Sequence, residues 1–313
     1  MNQRIGVIDM GTNTFHLLIS EIVNGVSHQM VNEKVSVGLG KGGINKGVIT
    51  DDAMDRALNV LKHFRHTLNE FDVRSVIATG TSAVRNAVNK DIFIKRIEQE
   101  TQIQVEVIDG AREAELIFRG VRQAVQMDNK QTLVMDIGGG SVEFIIGNEN
   151  GIQWKQSFEI GGQRLIERFH KNDPIHPDEI KALHEYLSGI LSPLDQAIQK
   201  WKPILLIGSA GTFDTLAEIN IDYHRENVDI SKLTSYFLSG PDFNRISNQM
   251  IDMTRPERLQ IPGMIELRVD MVVVAVCLVK YILDLMKTQD IMVSTYSLKE
   301  GVLYTLLDQG NSK

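Results

Sequence analysis

The carboxylates of Asp136 and Glu143 flank a glycine-rich segment whose composition suits the binding of phosphate and a metal ion. The residues at its centre are Gly138, Gly139, Gly140 and Ser141. Apolar residues lie on both sides, so the sequence predicts a strand, a tight turn and a second strand. Glycines let the backbone approach a ligand closely, so that several N–H groups can point at one phosphate. Ser141 adds a hydroxyl donor, and the two carboxylates are hard oxygen ligands suited to Mg2+.

An earlier segment repeats this pattern without a gap. Asp9 aligns with Asp136, and the turn that follows it consists of Gly11, Thr12, Asn13 and Thr14. Two ordinary β-hairpins are the alternative for either copy alone. The matched pair instead favours a duplicated phosphate-binding unit, in two similar domains that face each other across a cleft. Asp9 is then a third candidate Mg2+ ligand.

Small and hydroxylated residues follow two further predicted strands. The strand 73–78 leads to Thr81, Ser82 and Arg85, and the apolar run 204–207 leads to Gly208, Ser209, Gly211 and Thr212. Ligands of open α/β sheets bind beyond the carboxyl ends of the strands, so these residues are candidate phosphate contacts. For the first segment, a helix N-cap followed by a surface arginine is an equally good interpretation.

Two acidic residues open a predicted helix after Asp109-Gly110. Glu113 and Glu115 are two residues apart and therefore point to nearly opposite helix faces, so that only one of them can easily face a cleft. Acidic residues in a first turn also complement the helix dipole, which is the structural alternative. Four arginines are candidate contacts to a longer phosphate chain, or else ion-pair partners: Arg164, Arg255, Arg258 and Arg268.

The composition restricts the class of protein. The chain has 313 residues and a formal net charge of -7, which argues against sequence-independent binding to duplex nucleic acid. The single cysteine, Cys277, fits a reducing compartment. No apolar run is long enough for a membrane span, and the N-terminus leads directly into a strand, so we expect a cytoplasmic protein without membrane contact. The apolar segment 271–286 predicts a core helix, with a homodimer interface as the alternative.

The blocks Thr81–Ala87 and Asp136–Glu143, together with 208–212 and the region from Pro262 to Asp270, resemble the exopolyphosphatase and guanosine pentaphosphate phosphohydrolase family. The duplicated turn is similar to that of the actin, sugar kinase and heat-shock chaperone ATPase superfamily. This resemblance covers essentially the whole chain. It implies an α/β protein of two ribonuclease-H-like (actin-like ATPase) domains, with the C-terminal helix folded back on the first. Together with a polar connector near 127–131, it predicts domains of 1–126 with 298–313, and of 127–297.

The resemblance also implies Mg2+-dependent release of the terminal phosphate from inorganic polyphosphate or guanosine pentaphosphate. The two turns would hold the phosphates, Arg85 would neutralise their charge, and Asp136, Glu143 and Asp9 would hold the metal. Where the family has two consecutive glutamates, this chain has Arg112 and Glu113. The resemblance therefore implies Glu113 as the catalytic base, with Glu115 as the alternative. Gly38 stands where the family frequently has a basic residue, which predicts weaker binding of long-chain polyphosphate. A kinase-like ATP user and a non-catalytic polyphosphate or nucleotide sensor are the competing hypotheses.

Overall fold

The computed structural model of the chain describes residues 3–311. It divides into two compact units: the described residues up to Arg119 together with those from Leu298 onward (unit 1), and Gly120–Ser297 (unit 2). The sequence predicts a boundary after residue 126, whereas the structure divides the chain between Arg119 and Gly120, within the helix Gly110–Ala124. The end of that helix belongs with unit 2, because Arg122 Nη2 donates a hydrogen bond to the carbonyl of Glu149 at 2.7 Å.

Unit 1 contains a five-stranded sheet in the order β3-β2-β1-β4-β5. Its strands are β1 (Gln3–Met10), β2 (Thr14–Val23), β3 (Val26–Ser36), β4 (Ser75–Gly80) and β5 (Val105–Val107). Strands β1, β4 and β5 are parallel, whereas β2 is antiparallel to both β1 and β3. The helices of unit 1 are α1 (Asp51–Glu70), α2 (Ser82–Arg85), α3 (Lys90–Thr101), α4 (Gly110–Ala124, which continues into unit 2) and, last in the chain, α12 (Leu298–Asn311).

Strand alternation decides which side chains of unit 1 face its core. Ile8 and Met10 of β1, and Phe15 and Leu17 of β2, are fully buried in one cluster with residues of α1 and α3. Successive side chains of a strand point to opposite faces, so Asp9 lies on the other face of the sheet. Helix α12 packs against β1, as the predicted folding-back of the C-terminal helix requires.

Unit 2 contains a six-stranded sheet in the order β10-β11-β9-β6-β7-β8. Its strands are β6 (Thr132–Ile137), β7 (Val142–Asn148), β8 (Gly151–Phe158), β9 (Leu205–Ser209), β10 (Ser235–Leu238) and β11 (Ile291–Ser294). Its helices are α5 (Gly162–Phe169), α6 (Pro177–Ile190), α7 (Ser192–Trp201), α8 (Gly211–His224), α9 (Gly240–Asp252), α10 (Arg255–Arg258) and α11 (Met271–Met286).

The two sheets share one topology. The order β8-β7-β6-β9-β11 in unit 2 repeats β3-β2-β1-β4-β5 in unit 1, with the same parallel and antiparallel pairings. Strand β10, which the sequence did not predict, extends the second sheet at its edge. The duplicated turn therefore marks a duplicated α/β domain of ribonuclease-H-like topology, as predicted.

Helix α11 provides the centre of the unit 2 core. Its residues from Met271 to Val279, including Cys277, are buried, as expected for a core helix. Burial raises the pKa of the Cys277 thiol to about 11, so this cysteine is a packing residue rather than a nucleophile. Among residues 3–311, no helix is long and apolar enough to cross a membrane.

Candidate active site

The first predicted phosphate turn joins β1 to β2 and is fixed by backbone hydrogen bonds. The N–H of Gly11 donates to the carbonyl of Thr14 at 3.1 Å. Three N–H groups of the loop 37–40 donate to the carbonyls of Thr12 and Asn13, each at 2.9 Å. A planar peptide points its carbonyl and its N–H in opposite directions, so the N–H groups of Asn13 and Thr14 face away from this loop. They are oriented as an anion-binding turn requires.

The carboxyl ends of the parallel strands bring the other unit 1 candidates to this turn. The N–H and the hydroxyl of Thr81 both lie 3.4 Å from the carbonyl of Met10, to which they donate. Ser82 begins the short helix α2, and Arg85 ends it. The N–H of Ile108 donates to the carbonyl of Gly80, which places the start of α4 at the same edge of the sheet.

Arg85 and Glu113 form an ion pair across this edge. Arg85 Nη1 lies 2.7 Å from Glu113 Oε2, and the side chains are only 16% and 8% exposed. Arg85 Nη1 also donates to the carbonyl of Ile108 at 3.2 Å. Glu115 instead pairs with Arg112 at 3.2 Å, and its side chain is 42% exposed. The geometry thus favours Glu113 over Glu115 as the candidate base, although its catalytic role stays a prediction.

The second phosphate turn joins β6 to β7 with the same geometry. The N–H of Gly138 donates to the carbonyl of Ser141 at 3.1 Å, as Gly11 does to Thr14. The carbonyls of the three glycines accept hydrogen bonds from the N–H groups of residues 161–163. A Cβ at Gly161 would lie 2.4 Å from the carbonyl carbon of Gly139, so this close approach requires glycine. By peptide planarity, the N–H groups of 139–141 point away from that segment.

Asp136 and Glu143 are cross-strand partners in β6 and β7. They are 6% and 1% exposed and lie on the sheet face opposite the clustered core residues Met135 and Phe144. Asp136 Oδ2 accepts hydrogen bonds from the hydroxyls of Ser209, at 2.6 Å, and Ser297. Glu143 Oε1 accepts one from Ser157 at 2.6 Å.

These donors fit a divalent cation with oxygen ligands. Two adjacent buried carboxylates provide negative charge, and hydroxyls line the same place. No cluster of three acidic, histidine or cysteine ligands occurs in the part of the chain that the structure describes. Mg2+ typically binds through one or two carboxylates and keeps several waters, so this donor set suits it. Asp9 occupies the equivalent strand position in unit 1.

The third small-residue turn surrounds a buried arginine. Ser209 at the end of β9 is in register with Asp136, and Ala210 has a left-handed φ of 69°. A Cβ at Gly211 would lie 1.9 Å from Arg268 Nη2, so the glycine makes room for the guanidinium. Arg268 is 7% exposed; burial lowers its pKa, which the charges of Asp214, Asp136 and Glu218 oppose. Gly211 therefore accommodates an arginine close enough to Asp136 for their charges to interact, whereas a Cβ at Gly208 would meet the ring of Phe213 at 2.1 Å. The phosphate contacts expected of Gly208, Gly211 and the buried Thr212 stay a prediction.

The other three candidate arginines have structural partners. Arg258 is fully buried and pairs with Asp173 at 2.9 Å. Arg164 pairs with Glu159 at 2.9 Å and donates to the carbonyl of Gly140 at 2.8 Å. Arg255 pairs with Asp270 and Glu266 at the surface.

Sequence reasoning missed the side chains that reach the site from neighbouring strands. Ser157 and Ser297 contact the candidate metal ligands, but they are ordinary serines in the sequence. His16, two residues after the first turn, lies opposite Asp9. Of these three residues, only His16 could have been found from the sequence. It follows Thr14 by two residues in a predicted strand, so the side chains of Thr14 and His16 lie on the same face of the sheet.

The chain is similar in sequence to proteins of one phosphatase family. The model of the Ppx/GppA phosphatase family matches residues 18–310. A putative exopolyphosphatase from Haemophilus influenzae is 28% identical over 306 residues, which cover 97% of this chain and 91% of that protein. A guanosine-5'-triphosphate,3'-diphosphate pyrophosphatase from Aliivibrio fischeri is 27% identical over 99% of this chain, which spans 60% of that longer protein.

Solved structures give the same assignment. The crystal structure of an exopolyphosphatase from Cytophaga hutchinsonii is 65% identical, with a TM-score of 0.96 and 98% of each chain covered. The structure of an Aquifex aeolicus member of the Ppx/GppA family is 25% identical, with a TM-score of 0.81 and 99% of each chain covered. The family model, the sequence relatives and the shared fold agree across nearly the whole chain. This protein therefore belongs to the Ppx/GppA phosphatase family.

Proposed function

We propose that this protein is a Mg2+-dependent phosphoanhydride hydrolase that releases the terminal phosphate of inorganic polyphosphate or guanosine pentaphosphate. The observation that carries the proposal is the pair of equivalent turns, one beside the buried Arg85–Glu113 pair and the other beside Asp136 and Glu143. The names of the relatives support both substrate classes. The substrates share a terminal phosphoanhydride, so one set of groups can serve both.

In unit 1, Glu113 is proposed to take a proton from the attacking water. The water oxygen forms the new bond to the terminal phosphorus, the bond to the bridging oxygen breaks, and the shortened chain leaves. A guanidinium carries five N–H donors, so Arg85 can orient Glu113 and also stabilise charge on the phosphate oxygens. The N–H groups and hydroxyls of the first turn hold the phosphate.

In unit 2, Asp136 and Glu143 would hold Mg2+, which when bound neutralises charge on phosphate oxygens. Ser209 and Ser157 keep these carboxylates oriented through their hydroxyl hydrogen bonds. The N–H groups of the second turn bind further phosphate oxygens.

The test is phosphate release with Mg2+ from long-chain polyphosphate and from guanosine pentaphosphate, side by side. Glu113→Gln keeps the shape and a hydrogen bond to Arg85 but removes the base, so we expect kcat to fall by about 10²–10⁴-fold with a much smaller change in KM. Glu115→Gln is the matched control, because that side chain pairs with Arg112 at the surface, and it should stay within about twofold of wild type.

The outcomes separate an enzyme from the sensor alternative. Release from either substrate that is lost in Glu113→Gln supports the proposal and names the substrate. Binding of both without release by wild type would refute hydrolysis and leave a non-catalytic sensor. Equal losses of kcat in the Glu113 and Glu115 variants would refute the assignment of the base.

Compartment and assembly complete the proposal. We propose a cytoplasmic location, because the single cysteine is buried in α11 and forms no intramolecular disulfide. The homodimer that the sequence analysis gives as an alternative stays a prediction. Light scattering of the purified protein would test it. The apolar residues of α11 lie in the unit 2 core, so another surface would have to form such an interface.

A further inference from the structure

One position distinguishes the two duplicated sites. The row of cross-strand partners in unit 1 is Asp9, His16 and Lys34, on strands β1, β2 and β3. In unit 2, Glu143 is the cross-strand partner of Asp136. An imidazole thus replaces a carboxylate at the same place in the duplicated fold, so the two turns are not chemically equivalent.

His16 contacts a side chain of the first phosphate turn. Its Nε2 lies 3.2 Å from Oγ1 of Thr14, and Thr14 is only 8% exposed. Phe15 and Leu17, which alternate with them, belong to the buried core, so Thr14 and His16 share the opposite face of the sheet. A threonine hydroxyl has one proton to donate, and the imidazole therefore decides where this proton can point.

We propose that His16 is a positioning residue that donates its Nε2–H to Thr14 Oγ1 and so directs the Thr14 hydroxyl proton to a substrate phosphate oxygen. This rests on the proposed function, because it requires the first turn to bind phosphate. If Nε2 accepted the hydroxyl proton instead, Thr14 would present only lone pairs to an anion. The donor arrangement adds the hydroxyl to the N–H groups of Asn13 and Thr14, which face away from the loop 37–40.

Two amide variants provide a matched pair. The Nε2 of glutamine lies as many bonds from Cα as the Nε2 of histidine, whereas the asparagine amide falls short of it. We expect His16→Gln to stay within about twofold of the wild-type KM, and His16→Asn to raise KM about fivefold with kcat changed by less than about twofold. Thermal melting confirms that both variants are folded before their kinetics are compared.

A double-mutant cycle tests whether His16 acts through Thr14. Thr14→Val removes the hydroxyl at nearly constant volume and should raise KM about tenfold, and Thr14→Ser, which restores a hydroxyl, should recover most of this loss. In the Thr14→Val background, His16→Asn should add less than about twofold. An unchanged fivefold effect there, or equal losses in the Gln and Asn variants, would overturn the proposal.

A binding measurement separates this inference from the proposed function. Calorimetric titration with tripolyphosphate in the presence of Mg2+ needs no turnover, and its Kd should follow the same variant order as KM. Absence of phosphate release by wild type would refute the proposed function alone if the Kd values still show that order. Absence of both release and tripolyphosphate binding would overturn both proposals.

Discussion

Replacement of Glu143 by glutamine should stabilise the metal-free protein while it removes the response to Mg2+. Glu143 and Asp136 are cross-strand partners and are both almost fully buried. Two negative charges about 5 Å apart repel each other by roughly 3 kcal/mol at an effective dielectric constant of about 20. Glutamine keeps the shape and can still accept the hydrogen bond from Ser157, so Glu143→Gln relieves this repulsion without a cavity.

The assay is calorimetric melting in EDTA and in Mg2+. A gain of about 3 kcal/mol corresponds to roughly 6–12 °C for a unit of this size, so Glu143→Gln should melt higher than wild type in EDTA. Mg2+ at about 100 times its Kd should stabilise wild type by about 2.7 kcal/mol, and the variant by much less. Glu185→Gln, at a 70% exposed side chain of the same unit, is the matched control and should change neither value.

Two results would refute this reasoning. A variant that melts below wild type in EDTA would mean that Glu143 stabilises the fold as a carboxylate, and that its favourable contacts outweigh the repulsion from Asp136. Equal stabilisation of wild type and Glu143→Gln by Mg2+ would mean that the metal does not bind at Asp136 and Glu143.

Two further predictions concern the buried arginines of unit 2. Gly211→Ala would place a Cβ 1.9 Å from the guanidinium of Arg268, so we expect it to lower the free energy of unfolding by about 1–3 kcal/mol. Gly189→Ala is the control, because its Cβ would meet nothing within 4 Å and should not destabilise the protein. Melting curves of the two variants test this difference. Arg258→Met should lower the free energy of unfolding by about 3 kcal/mol. This is the low end of the range for a broken buried ion pair, because the Asp173 side chain retains contact with solvent. Burial alone would raise the pKa of Asp173, but its hydrogen bonds and the Arg258 cation hold it below its usual value. The stability from this pair is therefore present above the unfolded pKa of about 3.9 and lost as the pH falls through the lower folded pKa, so wild type and Arg258→Met should converge in acid. Parallel melting curves across the whole pH range would contradict this.

The sequence alone determined the duplication and the residue types of both turns. Matching Asp9 with Asp136, and Thr14 with Ser141, requires only local spacing, and such spacing fixes a strand–turn–strand unit because the turn geometry depends on a few consecutive residues. The structure repeats one backbone hydrogen bond in both turns, from Gly11 to Thr14 and from Gly138 to Ser141. The residues of each turn were therefore sufficient to predict its backbone geometry.

The tertiary structure decided which distant side chains meet. Arg85 and Glu113 pair across 28 positions, because β4 and β5 end at one edge of the sheet. The choice of Glu113 over Glu115 depends on the face that α4 presents to Arg85, which a spacing of two residues leaves open.

The partners of the buried arginines also could not be predicted from the sequence. Arg258 and Arg268 look alike as charged residues ten positions apart in the sequence, yet one pairs with Asp173 and the other packs on Gly211. A cation in the interior is stable only where the fold supplies its partners, and those partners come from segments far away along the chain. Sequence patterns describe neighbours along the chain, whereas burial and pairing depend on neighbours in space.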